Sequence, residues 1–164
     1  MSETRTEVFV RPARVPDELP HVRTLFREYA DSLGFALDFQ GFKDELAGLP
    51  GDYAPPRGAI LLGGRAGPSE DVLAVVALRP LAPEVCEMKR MYVRPAARGL
   101  GLGRALGVAI LGEGRRLGYR AMRLDTIDTM TPAIALYESL GFRRIEAYRY
   151  NPMPGALFFE APLA

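Results

Sequence analysis

Three glycines alternate with other residues in the segment Arg98-Gly99-Leu100-Gly101-Leu102-Gly103-Arg104, shortly after an apolar stretch that ends in Met91-Tyr92-Val93. Because glycine has no Cβ, backbone N–H groups around it can approach a ligand closely, and the N-terminus of a following helix attracts negative charge. The arginines at both ends add guanidinium groups that pair well with phosphate oxygens. The spacing therefore predicts a phosphate-binding loop between a strand and a helix.

Two common phosphate-binding motifs do not match this loop. A P-loop requires a lysine after its last glycine, and none follows here. The dinucleotide fingerprint Gly-x-Gly-x-x-Gly fails in both frames, because Arg104 and Leu106 occupy the place of the third glycine. A nucleotide-binding enzyme is therefore disfavoured, although Asp125 stands where an acidic ribose ligand would be expected. A glycine turn that only packs a helix against a strand is the structural alternative.

Hydrophobic periodicity and turn residues predict the elements that position the loop. Strands are expected where apolar residues alternate or run together, and helices where they recur every three to four residues. The chain then forms a mixed sheet, antiparallel at its hairpins and parallel where helices intervene, with helices on both faces. The predicted strands are 7–12, 59–65, 72–79, 85–93, 121–126, 142–148 and 156–160, and the predicted helices are 17–33, 39–46, 101–117 and 132–140.

Length and composition limit the possible classes of protein. A chain of 164 residues with 48% hydrophobic and 25% charged residues fits one soluble domain, which we place at 7–164, after a short flexible N-terminus at 1–6. A net charge of +1 gives no strong positive electrostatic potential that would attract nucleic acid. No apolar run is long enough to span a membrane. The N-terminal residues do not form a secretory signal, so we expect a cytoplasmic protein.

The scarcity of cysteine and histidine excludes several kinds of chemistry. Cys86 is the only cysteine and His21 the only histidine. Disulfides, zinc sites built from cysteine and histidine, and mechanisms with paired histidines are therefore not expected. We also see no carboxylate spacing of the kind that forms a calcium loop, so we expect no metal.

Two motifs resemble those of the GNAT superfamily of N-acetyltransferases. Arg98-x-x-Gly101-x-Gly103 is similar to its [Arg/Gln]-x-x-Gly-x-[Gly/Ala] motif, and the stretch 133–142, Ala-Ile-Ala-Leu-Tyr-Glu-Ser-Leu-Gly-Phe, is similar to its Ala-Ile-x-Leu-Tyr-x-x-x-Gly-Phe segment. One departure is Met130, where the superfamily often has an asparagine. The segment 148–156 resembles the tail of a bacterial branch with a Tyr-Asn-Pro sequence and unassigned substrates.

The resemblance implies a GNAT-like α/β (α+β) fold, with a mixed, mostly antiparallel central sheet, and acetyl-CoA as cosubstrate. It implies that the loop 98–104 holds the pyrophosphate of acetyl-CoA and that Met91, Tyr92 and Val93 lie along its pantetheine arm. A backbone amide of Met91 or Val93 would then stabilise an oxyanion, provided that the strand splays from its neighbour. Tyr137 matches the tyrosine that faces the CoA sulfur and would protonate the leaving thiolate; the alternative is that it only fills the seam between helix and sheet.

The base that accepts the proton of the amine is expected to be a carboxylate. Strand alternation gives Glu87 the same parity as Met91 and Val93, so we expect it to act directly or through a water molecule. Its competing role is an ion pair with Lys89 or an arginine on the sheet surface. Asp125, Asp128 and solvent are the alternatives. Cys86 alternates to the opposite face and is expected to be a buried small hydrophobe.

The acceptor is expected to contact the less constrained segments 35–53, 80–83 and 148–154. Phe35, Phe39, Phe42 and Tyr53 would line an apolar pocket, although the spacing of the first three is more typical of a core-facing helix. Arg57 or Arg149 would bind a carboxylate if the acceptor is an amino acid.

The leading hypothesis is an acetyl-CoA-dependent N-acetyltransferase that acetylates a primary amine of a small molecule or amino acid, by direct attack in a ternary complex. The alternatives are a protein or peptide N-acetyltransferase and a non-catalytic acyl-CoA-binding regulatory module. We expect no nucleic-acid or membrane partner. An exposed strand near the C-terminus suggests a homodimer.

Overall fold

The computed structural model describes residues 7–33 and 41–163. The predicted N-terminal segment 1–6 lies outside the described residues, as do Phe35 and Phe39. The predicted order of strands and helices is confirmed. In chain order the elements are β1 (Val8–Pro12), α1 (Leu19–Ser32), α2 (Phe42–Ala47), a short 3-10 helix (Gly51–Tyr53), β2 (Ala59–Arg65), β3 (Asp71–Ala82), β4 (Val85–Val93), a second 3-10 helix (Pro95–Ala97), α3 (Leu102–Arg116), β5 (Ala121–Ile127), α4 (Thr131–Ser139), β6 (Arg143–Ile145) and β7 (Ala156–Pro162).

The strands form one seven-stranded sheet in the order β1-β2-β3-β4-β5-β7-β6. Every neighbouring pair is antiparallel except β4 and β5, which are parallel. A parallel pair needs a crossover connection, and α3 provides it. The prediction of a mixed, mostly antiparallel sheet is therefore confirmed. Within the described ranges, no helix is both long and apolar enough to cross a membrane.

Helices cover both faces of the sheet, as predicted. On one face, Val22, Leu25 and Phe26 of α1 pack in a buried cluster with strand residues such as Val75. On the other face, α3 buries Leu102, Leu106 and Ile110 against the alternate strand residues, including Val76. Because β3 is buried on both faces, its central residues read as a continuous apolar run rather than as an alternating pattern.

The end of the sheet differs from the prediction. Strand β6 is only three residues long, whereas the sequence suggested 142–148. Strand β7 pairs with β5 on one side and β6 on the other, so it is not an exposed edge. The edge strand β6 carries exposed Arg143 and Arg144, and such charges oppose pairing with another chain. The exposed strand near the C-terminus is therefore β6, and the homodimer stays a prediction.

A β-bulge in β4 opens the centre of the sheet. Val75 of β3 pairs with Tyr92 and Ala77 pairs with Lys89, so β4 contains one extra residue between these positions. Arg90 lies at this bulge with a φ of 60°, in the left-handed region. Strand β5 pairs with β4 only along Val85–Glu87, before the bulge. Beyond Glu87 the two strands are unpaired, and a wedge opens between them.

Candidate functional site

A groove of about 630 Å³ lies at the open end of this wedge, with predominantly apolar walls. We call it the wedge groove. Its walls come from β4, from the glycine loop with the start of α3, and from α4 and the residues just before it. Tyr29 and Ser32 of α1 close one side. The predicted cofactor-binding residues that line it are Met91, Tyr92, Val93, Arg98, Gly99, Gly101, Leu102 and Gly103.

The glycine loop forms one end of the wedge groove. Gly99 and Gly101 have φ values of 89° and 78°, which glycine adopts without strain. Gly101 directly precedes α3, whose first backbone N–H groups have no partner inside the helix and carry partial positive charge. Arg98 lines the groove beside them. The loop therefore offers the donors and the charge that an anionic group requires.

Two residues of the predicted loop do not face the wedge groove. Leu100 packs against the hydrophobic core. Arg104 points to α4, where its Nη1 donates to Oγ of Ser139 at 3.0 Å, and it lines a separate apolar depression beside β1. The structure thus brings Arg98 to the predicted phosphate site and places Arg104 outside it.

The backbone of β4 presents unpaired amides to the wedge. The Arg94 amide donates to the Leu73 carbonyl of the neighbouring strand at 2.9 Å. Because successive amides of a strand point to opposite sides, the Tyr92 amide also faces β3, whereas those of Met91 and Val93 face away from it. Since β5 does not pair here, these two amides face the wedge. This is the splayed geometry that the predicted oxyanion donors require.

Tyr137 lies behind the wall of the wedge groove. It is 7% exposed on α4 and packs edge-on against Phe142, with ring centroids 5.9 Å apart. Ala133 and Leu136 of the same helix line the groove. Burial raises the pKa of Tyr137 above its ordinary value, and the nearby Asp125 carboxylate raises it further. The phenol therefore stays protonated at neutral pH, as a proton donor must.

Glu87 is fully buried and held by three side chains. Arg79 donates to its Oε1 through Nε at 3.0 Å, while Oε2 accepts from the Tyr148 hydroxyl at 2.7 Å and pairs with Arg149 Nη2 at 2.6 Å. The predicted pairing with an arginine is therefore observed, but in the interior rather than on the surface. Both carboxylate oxygens of Glu87 are therefore occupied by donors from other segments.

The expected parity of Glu87 with Met91 and Val93 was wrong. Met91 and Val93 pack against the same hydrophobic cluster that contains Cys86, the residue next to Glu87. The extra residue at Arg90 shifts the alternation, so Glu87 faces the α1 and α2 side of the sheet instead. Cys86 is fully buried, and burial raises the pKa of its thiol to about 12, which confirms it as a small hydrophobe.

A buried ion pair that the sequence did not reveal lies beside the bulge. Lys89 Nζ is 3.6 Å from Asp125 Oδ1, and both side chains are 4% exposed. Asn151 donates to the other oxygen of Asp125 at 3.1 Å. Burial lowers the pKa of Lys89 to about 8, although Asp125 and Glu87 oppose this shift. Asp128, the remaining predicted base, is exposed, and its backbone amide donates to the carbonyl of Gly155.

Tyr29 of α1 is a second residue that the sequence analysis did not single out. It lines the wedge groove, and the guanidinium carbon of Arg90 is 5.9 Å from its ring centroid. Arg90 in turn donates twice to Glu45 of α2, at 2.9 Å each. Met130, which replaces the expected asparagine, lines the opposite wall.

Comparisons with known proteins agree with this geometry. Residues 21–142 match the model of the acetyltransferase (GNAT) family. An uncharacterized N-acetyltransferase from Schizosaccharomyces pombe is 38% identical over 160 residues, which cover 97% of each chain. A GNAT-family acetyltransferase from Staphylococcus aureus shares the fold, with a TM-score of 0.77, 17% identity and coverage of 96% of this chain and 100% of the other. A proposed acetyltransferase from Salmonella typhimurium, solved with its cofactor acetyl-CoA, has a TM-score of 0.66 at 20% identity, covering 96% and 94%.

Proposed function

Because the chain belongs to the acetyltransferase (GNAT) family, we propose that it transfers the acetyl group of acetyl-CoA to a primary amine of a small molecule or amino acid. The observation that carries this proposal is the wedge groove, which combines an anion-binding glycine loop with unpaired strand amides. The site at Gly99, Gly101 and Arg98 suits a pyrophosphate, and the apolar walls suit the pantetheine arm. Acetyl-CoA supplies an acyl group activated as a thioester.

The unpaired amides and Tyr137 fit the two ends of the reaction. The amide of Met91 or Val93 donates to the acetyl carbonyl oxygen and stabilises negative charge there. The amine nitrogen forms a bond to the acetyl carbon as the carbon–sulfur bond breaks, and Tyr137 gives its proton to the thiolate. Direct attack is favoured because Cys86, the only cysteine, is buried in the core with a raised thiol pKa.

The remaining proton, from the amine, requires a base. Asp125 and Asp128 stay candidates for this role; Asp125 is buried and held by Lys89 at 3.6 Å and by Asn151 at 3.1 Å. Glu87 is held by Arg79, Arg149 and Tyr148, and its role as the base stays a prediction. A cytoplasmic location also stays a prediction.

The first test measures, with the purified protein, the binding of acetyl-CoA and its turnover with amines. Acetyl-CoA and CoA should raise its Tm, whereas NAD(H) should not, since a ligand specific for the folded state stabilises it. A panel of amines should then release free thiol from acetyl-CoA. Binding without thiol release from any amine or peptide would favour the non-catalytic acyl-CoA-binding module, and release only with peptides would favour a peptide acetyltransferase.

A second test concerns Tyr137. Tyr137→Phe should lower kcat and leave the Kd of CoA nearly unchanged, because only the hydroxyl is removed. Tyr119→Phe is the matched control, since Tyr119 is also 7% exposed and its hydroxyl donates to the Arg57 carbonyl, away from the wedge groove; it should change neither quantity. Unchanged kcat across the pH range in Tyr137→Phe would reject the acid role and leave Tyr137 as a packing residue.

A further inference from the structure

Two buried side-chain donors lack a hydrogen-bond partner among the described residues. They are Oη of Tyr53, a residue that is 2% exposed, and Nε of Arg149. Buried polar groups in proteins are normally paired, so unpaired donors indicate a place where acceptor atoms of a ligand fit. Arg149 pairs with Glu87, and Tyr53 lines the same recess as Arg79, the other arginine that pairs with Glu87.

The ion pair itself carries an excess of positive charge. Arg79 and Arg149 approach the two different oxygens of Glu87, at 3.0 and 2.6 Å, so two guanidinium groups share one carboxylate. Each arginine side chain is about one fifth exposed. Guanidinium groups bind carboxylates through paired hydrogen bonds. An additional carboxylate would therefore be stabilised by both charge and geometry.

Arg79 and Tyr53 line a common recess of about 310 Å³ between α2, the 3-10 helix that follows it and β3. We call it the α2 recess. Glu45 also lines it, and Glu45 is held by Arg90, which packs on Tyr29 of the wedge groove. The ion pair of Glu45 and Arg90 thus connects a wall of the α2 recess to a wall of the wedge groove. A ligand in the recess lies beside the site where acetyl transfer is proposed.

The rim of the α2 recess limits the charge of such a ligand. The exposed carboxylates of Asp44 and Asp52 line it together with Arg79. They would repel a ligand group that carries more than one negative charge. The recess therefore fits a single carboxylate bound to Arg79.

We propose that the acceptor is an amine that also carries a carboxylate, and that Arg79, Arg149 and Tyr53 bind this carboxylate. The proposal rests on the acetyltransferase function proposed above and names the acceptor class for that same reaction. Met91 is four residues beyond Glu87 along β4, and the bulge takes up one of them. At about 3.3 Å per residue, the two positions are about 10 Å apart. We therefore expect the amine and the carboxylate to be separated by several bonds, as in ω-amino acids and the side-chain amines of diamino acids.

The test compares ω-amino acids of increasing length with their carboxamides, which have nearly the same shape but no charge. Thiol release from acetyl-CoA is measured with the full chain. The carboxylate should exceed the amide in kcat/KM by about tenfold, mainly through KM. Tyr53→Phe and Arg149→Gln should each reduce this ratio toward one. Tyr53→Phe only removes an unpaired hydroxyl, so it should fold.

Arg123→Gln is the matched control. The Arg123 guanidinium packs on the Tyr148 ring, as that of Arg149 does, but it pairs with Glu160 and not with Glu87. It should leave the preference for the carboxylate unchanged. Equal kcat/KM for acids and amides, or an unchanged ratio in both Tyr53→Phe and Arg149→Gln, would overturn the proposal.

Failure of the acetyltransferase function is distinguishable from failure of this inference. If no amine releases thiol, calorimetry with the CoA-bound protein still compares 6-aminohexanoate with its amide. Tighter binding of the acid that is lost in Tyr53→Phe would support the carboxylate site without turnover. Equal or undetectable binding of both would reject the site itself.

Discussion

Replacing Glu87 with glutamine should destabilise the fold more than it affects chemistry directly. Glu87 is 0% exposed, and its charge neutralises two guanidinium groups at 3.0 and 2.6 Å. Removing one partner of a buried ion pair costs about 3–5 kcal/mol. Because Arg79 and Arg149 keep some contact with solvent, we expect the lower end, about 3 kcal/mol. For a chain of this size, that corresponds to a Tm lower by roughly 6–12 °C.

The assay is thermal and urea unfolding of Glu87→Gln, alongside thiol release at saturating acetyl-CoA. The double variant Glu87→Gln/Arg149→Gln should lose less stability than the sum of its single variants, with a coupling of about 1 kcal/mol or more. Glu113→Gln, which breaks an exposed pair with Arg116, should leave the Tm unchanged within error. Full stability of Glu87→Gln together with lost turnover would refute this reasoning and identify Glu87 as the base.

Three further outcomes follow from the site. The pKa of Lys89 is about 8 in the folded protein and 10.5 as a free side chain, so between these pH values the unfolded chain binds more protons and the free energy of unfolding rises with pH. Lys89→Met should remove this rise of about 3 kcal/mol, as measured by urea unfolding at several pH values. An unchanged pH dependence in Lys89→Met would contradict the lowered pKa. Gly101→Ala should cost about 1 kcal/mol in urea unfolding, because φ is 78° although the space around a Cβ is open; equal stability would mean that the loop relaxes. Arg98→Gln should raise the Kd of CoA about tenfold in calorimetry and reduce the salt dependence of binding, because Arg98 lines the wedge groove. Arg104→Gln should change this Kd less than twofold, because Arg104 bonds to Ser139 instead. Equal effects on the Kd would contradict the different placement of the two arginines.

The order of elements could be predicted because each depends on local signals. Apolar alternation, helical spacing and turn residues act over a few neighbours, and the strands from β2 to β5 lie close to their predicted limits. The glycine loop could also be predicted from the sequence, since glycine adopts the positive φ of Gly99 and Gly101 without strain. The function of the loop required the resemblance, because backbone donors alone do not distinguish one phosphate ligand from another.

The face on which Glu87 lies could not be predicted from alternation. Simple period-two counting assumes an uninterrupted strand, and the extra residue at Arg90 breaks that assumption. Arginine is not a residue that marks a left-handed φ, so the sequence carries no local sign of the bulge. The position of the bulge depends on Glu45 and on the aromatic rings that hold Arg90, and these come from helices distant in sequence.

The buried partners of the carboxylates were beyond sequence reasoning for a related reason. Arg79 reaches Glu87 from β3, whereas Tyr148 and Arg149 reach it from the connection between β6 and β7, from which Asn151 also reaches Asp125. Such pairings depend on how segments cross in space rather than on spacing along the chain. The sequence drew attention to these two carboxylates but not to the side chains that hold them.

The short pairing between β4 and β5 has a mechanical consequence. Only Val85–Glu87 of β4 joins the β1–β4 part of the sheet to the β5-β7-β6 part by strand pairing. The two parts of the sheet are therefore joined at one end only, and a molecule bound between them occupies the place of the absent hydrogen bonds between β4 and β5. Hydrogen exchange at the open ends of β4 and β5 should slow when the groove is filled, so that the bound ligand completes the continuity of the sheet.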